Sequence, residues 1–257
     1  MNFVFFKYQG TGNDFIIFDD RNNSFPKDEQ IIVHLCDRKF GIGSDGLILI
    51  QSSADNDFHM EFYNPDASQS FCGNGSRCAV AFAYRLGIIE KTCTFSAIDG
   101  THKAEVISAD HIEVSMKDVN DITHHENDFI LDTGSPHFVR FTKDLMADDI
   151  LEIGREIRYS TDFKKEGINV NLVELLKDNS IQCATYERGV ENETLSCGTG
   201  VTAMAIATNH HLKIESPITV LTKGGELDVS FEKDGEHYNT IRLKGPAEFV
   251  FKGEISI

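Results

Sequence analysis

The chain carries one short signature twice. Residues 71–83 read FCGNGSRCAVAFA and residues 196–208 read SCGTGVTAMAIAT. Cys72 falls on Cys197, Gly73 on Gly198, Asn74 on Thr199 and Gly75 on Gly200, and both copies run on into small apolar residues. The register persists downstream, where Thr94-Phe95-Ser96 meets Thr219-Val220-Leu221. Upstream, Gly12-Asn13-Asp14-Phe15 stands about as far before its cysteine as Gly134-Ser135-Pro136-His137-Phe138 before the other. A repeat half a chain long calls for two halves built to one plan. A chain of 257 residues accommodates two units of ordinary domain size.

The same order of elements is expected in each half. Alternating or continuous apolar runs predict strands over 3–8, 15–19, 47–51 and 58–63, then over 138–141, 169–175 and 181–186. Helices over 75–87 and 200–211 follow the glycine turns. Strands at 92–98, 103–108 and 111–116 follow the first helix, and strands at 217–222, 226–232 and 239–244 the second. Further helices are expected near 28–39 and over 145–157. The two post-glycine helices are rich in small and apolar residues on all sides, as a buried helix is. The fold expected is α+β: two pseudo-symmetric halves, each a mixed β half-barrel or sheet wrapped around a central helix, with the active site in the cleft between them. The acidic, aperiodic stretch 118–128 reads as the linker, so the halves are 1–122 and 123–257. A final strand at 248–257 can pair back onto the first half.

Composition narrows the function. Lys and Arg number 24 against 41 Asp and Glu, a net charge of -17, which repels nucleic-acid backbones and anionic membranes alike. The N-terminal MNFVFFKYQGTGND has neither a basic start nor a long apolar run, and no apolar stretch reaches membrane-spanning length, so a cytoplasmic protein is expected. The six cysteines are too sparse for a disulfide framework, and none is spaced from another as zinc ligands are. Gly41-Ile42-Gly43-Ser44-Asp45-Gly46 has the letters of a dinucleotide fingerprint, but a helix-like run precedes it and a strand follows, so it reads as a turn.

A cysteine directly before a glycine turn and a helix sits on that helix's N-terminus, where unpaired N–H groups favour a thiolate and can bind a carboxylate. Each half therefore offers an acid/base thiol and an anion cradle. Two such groups on opposite sides of one carbon could remove a proton from one face and return another to the opposite face, inverting a stereocentre beside a carboxylate.

The first half contains Gly10-Thr11-Gly12-Asn13-Asp14-Phe15, Gly41-Ile42-Gly43-Ser44-Asp45-Gly46, Asn64-Pro65-Asp66-Ala67-Ser68 and Phe71-Cys72-Gly73-Asn74-Gly75. The second contains Gly134-Ser135-Pro136-His137, Asn169-Val170-Asn171, Tyr186-Glu187-Arg188-Gly189 and Ser196-Cys197-Gly198-Thr199-Gly200. In these motifs the chain resembles the diaminopimelate epimerase family over essentially its whole length. The resemblance implies that Cys72 and Cys197 are the acid/base pair and that Gly73, Asn74, Gly198 and Thr199 hold the reacting carboxylate. It implies that Asn13, Asn64, Asn169 and Arg188 recognise diaminopimelate, largely at its far end, and that Glu187 and His137 assist binding or tune protonation. It further implies no cofactor, no metal, a homodimer, and a place in lysine and peptidoglycan precursor synthesis. The family commonly has Asn where this chain has Ser135, and some members have Gln where Gly46 stands. Two rival readings are a related racemase acting on another amino acid, and a thiol-redox protein, which leaves the second Cys-Gly-x-Gly copy without a role.

Overall fold

A computed structural model describes residues 1–176, 178 and 180–257. They divide into two compact units, Met1–Val114 with Gly245–Ile257, and Ser115–Lys244. In the first unit the elements run β1 (Asn2–Gly10), β2 (Asn13–Asp19), α1 (Glu29–Cys36), β3 (Gly46–Gln51), β4 (Phe58–Tyr63), α2 (Gly73–Arg85), β5 (Thr92–Ala97), β6 (Gly100–Ser108) and β7 (His111–Ser115). In the second they run β8 (Thr123–His125), β9 (Asp128–Asp132), β10 (Pro136–Thr142), α3 (Ile150–Arg158), β11 (Asn169–Leu175), β12 (Ile181–Glu187), β13 (Asn192–Thr194), α4 (Gly198–Leu212), β14 (Ile218–Thr222), β15 (Gly225–Asp234) and β16 (His237–Pro246). The chain then returns to the first unit as β17 (Glu248–Ser256).

Strand pairing repeats step for step. In the first unit β17 pairs with β1, and β1 with β2, antiparallel; β2–β3 is parallel, β3–β4 antiparallel, β4–β5 parallel, and β5–β6 and β6–β7 antiparallel. In the second, β8–β9 and β9–β10 are antiparallel, β10–β11 parallel, β11–β12 antiparallel, β12–β14 parallel, and β14–β15 and β15–β16 antiparallel. The last strand of the chain thus takes in its unit the place that β8 takes in the other. The expected α+β architecture of two pseudo-symmetric halves is what the pairing describes.

In each unit the strands pack on one helix that is buried around nearly its whole circumference. In α2, residues 73–83 are buried, and in α4, residues 198–209. The smaller helices cover outer faces: α1 lies with Phe18, Phe25 and Leu49 in one cluster, and α3 with Val170, Leu172 and Tyr186 in another.

Element bounds shift by a few residues throughout, as α2 does from 75–87 to Gly73–Arg85, β9 is an addition, and three departures have a local reason. The helix expected from residue 145 begins at Ile150, because the Asp149 side chain accepts from the N–H groups of Leu151 and Glu152 and so caps it. The helix expected to reach residue 39 ends at Cys36, because the Asp37 carboxylate takes the N–H groups of Lys39 and Phe40 into a turn. The stretch 118–128 contains β8 and the first residue of β9. Met116 and Val119 already pair with Ile241 and Tyr238, so the second unit begins at Ser115, earlier than the border drawn from the sequence. Among the described residues no helix is long and apolar enough to cross a membrane.

Candidate active site

In the first unit Cys72 is the N-cap of α2, with extended backbone at φ -129° and ψ 111°. That conformation turns its side chain back over the first helical turn, where the Gly75 N–H donates to Sγ at 3.3 Å. The Sγ also lies 3.8 Å from Asn13 Oδ1. Asn74 Nδ2 donates to the same oxygen at 3.4 Å, while Asn13 Nδ2 donates to Asp45 at 2.8 Å. The turn between α1 and β3 therefore aims the Asn13 amide at the cysteine. Arg38 bridges Asp14 and Asp45 and fixes that turn. Asn64, at the end of β4, spends its amide on Ser68 and Ser70 within its own loop.

The second unit holds its cysteine in a longer network. Cys197 is the N-cap of α4 at φ -124° and ψ 112°, and its Sγ lies 3.4 Å from Thr199 Oγ1. Thr199 Oγ1 is 2.9 Å from His137 Nε2, and Ser135 Oγ is within 3.2 Å of both. Asn171 Nδ2 approaches His137 Nδ1 at 3.1 Å. An amide nitrogen can only donate, so Nδ1 accepts and Nε2 carries the hydrogen of the neutral ring. The hydrogen-bond chain then runs from Asn171 through His137 and Thr199 to the sulfur. Here α4 comes so close to β11 that a Cβ at Gly200 would sit 2.8 Å from Asn171 Oδ1. Asn169 donates to Ser135 Oγ and the Pro136 carbonyl, each at 3.1 Å, and accepts from the Arg188 N–H at 2.9 Å.

Arg188 is exposed and its guanidinium donates to the Glu166 carbonyl at 3.0 Å. Among the described residues no carboxylate forms an ion pair with it, in a chain where acids far outnumber bases. Gly167, at φ +75°, leaves room for the Arg188 stem; a Cβ there would lie 2.6 Å from Cδ. The following turn is pinned by Glu191, which accepts from Tyr186 and the Gly189 N–H and faces Arg158. Glu187 is the last residue of β12, next to Arg188.

The structure thus joins Asn13, Cys72 and Asn74 in one unit, and His137, Asn169, Arg188, Cys197 and Thr199 in the other. It adds Asp45, Ser135 and Asn171 as supports. Asn171 had a signal, since it shares a strand face with Asn169. Asp45 had none, because its bond to Asn13 spans 32 residues. The remaining cysteines are buried, and burial pushes the thiols of Cys93 and Cys183 up to about 12 and that of Cys36 upward. Among the described residues no group of three or more His, Cys, Asp or Glu is placed to hold a metal ion.

His137 makes a measurable prediction. It is 0% exposed, and burial pulls its pKa from 6.5 to about 3. Between those values the unfolded chain binds a proton that the folded protein refuses. Stability therefore falls as pH drops through this window, by up to ~1.4 kcal/mol per pH unit from this group. Denaturant unfolding of the wild type should lose stability more steeply between neutrality and about pH 4 than His137→Gln does. Parallel losses in the two proteins would contradict the buried neutral ring.

Comparison with known proteins gives the family. The family model for diaminopimelate epimerase matches residues 5–122 and 129–250. A Flavobacterium psychrophilum protein named diaminopimelate epimerase is 49% identical over 253 residues, covering 97% of this chain and 99% of its own. The Aquifex aeolicus protein of that name is 39% identical over 274 residues, covering 98% and 97%. Among solved structures, a Bacillus anthracis phenazine biosynthesis protein of the PhzF family matches with a TM-score of 0.77 at 15% identity, covering 100% of both chains. A hydroxyproline epimerase from Agrobacterium vitis, with bound trans-4-hydroxy-L-proline, matches with a TM-score of 0.73 at 14% identity, covering 100% of this chain and 93% of its own. These two likenesses show the fold alone. Matched along nearly all of its length both by the family's model and by relatives that carry its name, this chain belongs to the diaminopimelate epimerase family.

Proposed function

We propose that this protein interconverts LL-2,6-diaminopimelate and meso-diaminopimelate by moving a proton at one α-carbon, in lysine and peptidoglycan precursor synthesis. The observation that carries the reading is the repeat itself: at the same topological place in two units, a half-buried cysteine stands at the N-cap position of a buried helix. One sulfur, as thiolate, takes the α-proton; the other, as thiol, delivers its own to the opposite face, and the roles exchange for the reverse direction. The reading requires both sulfurs to reach the same carbon in the substrate complex. The α-carboxylate rests on first-turn N–H groups at Gly73, Asn74, Gly198 and Thr199, which stabilise the charge that develops as the proton leaves.

Asn13, Asn64, Asn169 and Arg188 read the rest of the substrate, with Arg188 taking the distal carboxylate as a planar fork. Its lack of a carboxylate partner among the described residues favours a substrate with two amino-acid ends over a proline-like one. Glu187 assists binding, and neutral His137 tunes the Cys197 side through Thr199. The reading assigns no cofactor and a cytoplasmic homodimer, for which β17 offers exposed apolar side chains in Phe249, Val250 and Phe251. The test is an assay of purified protein with each diaminopimelate stereoisomer and no added cofactor. LL and meso isomers should interconvert; no change in either would sink the reading.

A further inference from the structure

Arg77 has no part in the proton transfer described above, yet it is 0% exposed. It lies in the second turn of α2, beneath the Cys72 cap. Its Nη2 donates to Asn74 Oδ1 at 3.0 Å and to Thr11 Oγ1 at 3.5 Å, its Nη1 to the Gly73 carbonyl at 3.4 Å, and its Nε to the Pro246 carbonyl at 3.3 Å. All four acceptors are neutral. Among the described residues no carboxylate forms an ion pair with it. A full charge buried against neutral dipoles is costly and favours a nearby negative charge.

Most charged groups on the elements packed against α2 have partners of their own, Asp19 on β2 with Arg21 and Glu105 on β6 with Lys91 among them, and Lys252 and Glu254 of β17 are exposed. Asp14 on β2 is paired with Lys7 on β1, and Glu61 on β4 with Lys27. His102 on β6 is bonded to Asp99, and Glu248 on β17 accepts from Gln9. Burial pushes the Tyr8 hydroxyl up to about 12 and the Cys78 thiol upward, so both stay protonated. Burial draws the Arg77 guanidinium down only to about 10, so it keeps its charge at neutrality, and that charge acts on Cys72. Asn13 Oδ1, facing the sulfur at 3.8 Å, favours the protonated thiol, but it is a neutral dipole set against a full charge. In the repeat, Arg77 falls on Thr202, whose hydroxyl returns to the Gly198 carbonyl at 2.9 Å. One cysteine therefore caps a helix with a buried cation in its second turn, and the other a helix with a hydroxyl there.

We propose that Arg77 is a positioning residue that keeps the resting negative charge of the thiol pair on Cys72, leaving Cys197 as the protonated partner. This rests on the two-thiol reading. A substrate whose α-hydrogen meets Cys72 then finds the enzyme ready: the Cys72 sulfur takes that proton, the Cys197 S–H bond breaks to deliver its own, and the charge ends on Cys197. A proton must next pass from Cys72 to Cys197 through water before another molecule of that isomer reacts.

The test follows iodoacetamide labelling of each cysteine against pH by mass spectrometry, in the wild type, Arg77→Gln and Arg77→Lys. In the wild type the labelling midpoint of Cys72 should lie below that of Cys197. Arg77→Gln should raise the Cys72 midpoint by about one pH unit or more, an about tenfold loss of its rate near neutrality, and leave Cys197 unmoved. Arg77→Lys should retain most of the wild-type profile. A wild-type Cys197 midpoint at or below that of Cys72 overturns the proposal even if Arg77→Gln does not fold, and so does an unmoved Cys72 midpoint in folded Arg77→Gln. Failure of the two-thiol reading would appear separately, as epimerisation surviving in Cys72→Ser or Cys197→Ser.

Discussion

Cys72→Ala and Cys197→Ala should each lower the rate of epimerisation by at least about 10²–10⁴-fold, the range general acid and base groups contribute. Each turnover uses one thiolate and one thiol, so losing either member stops both directions. The double variant should be little worse than either single one, because groups that act as a unit are not additive. Folding should survive. Cys72→Ala gives up one cap bond from the Gly75 N–H, worth about 0.5–2 kcal/mol, and Cys197→Ala gives up a contact with the Thr199 hydroxyl. Steady-state kinetics in both directions, with circular dichroism as the control for folding, decides the matter. A folded single variant with near-normal turnover would show that its cysteine is not an acid/base group.

Arg188→Ala should reduce kcat/KM for diaminopimelate by about 10- to 150-fold, the equivalent of ~1.5–3 kcal/mol for a lost hydrogen bond to a charged group. Both parameters should move, KM up and kcat down, because binding energy from the far end of the substrate helps to place the reacting carbon. The loss should come from substrate contacts, since the guanidinium's own bond in the structure is to the Glu166 carbonyl. Arg188→Lys should recover only part of the loss, as an ammonium lacks the planar fork. Lysine, which has no distal carboxylate, should be a very poor substrate of the wild type, and Arg188→Ala should narrow the gap between the two compounds. Unchanged KM and unchanged discrimination in the variant would remove Arg188 from the substrate site.

Local patterns made most of the fold legible. Strands such as Leu47–Gln51 and Asn169–Leu175 announce themselves by apolar runs, and both buried helices by a glycine turn followed by small apolar residues. The stretch 118–128 reads as a linker in the sequence because β8 is three residues long, too short to show a period. The start of α3 is not legible in the pattern, since residues 145–149 are compatible with a helix and the Asp149 cap decides where it begins. In the site, the repeat exposed both cysteines and their glycines. It could not expose Asp45 behind Asn13, or Thr185 donating to Asn171 Oδ1, since the first bond joins a turn to a strand 32 residues away and the second depends on the register between β11 and β12. Arg77 did carry a signal: a charged residue four places into a helix start that has a threonine there in the other copy.

The most direct measurement of the two-thiol account is isotopic. Enzyme equilibrated in heavy water is given protiated LL-diaminopimelate, and the reaction is stopped while little product has formed. The donor thiol has exchanged with solvent and carries deuterium, while the sulfur that attacks takes protium from the substrate. The account predicts early meso product labelled with deuterium at the inverted α-carbon, and remaining LL substrate with almost none. A single base moving between faces would return the original hydrogen, so early product largely free of deuterium would contradict the account even with both cysteines essential.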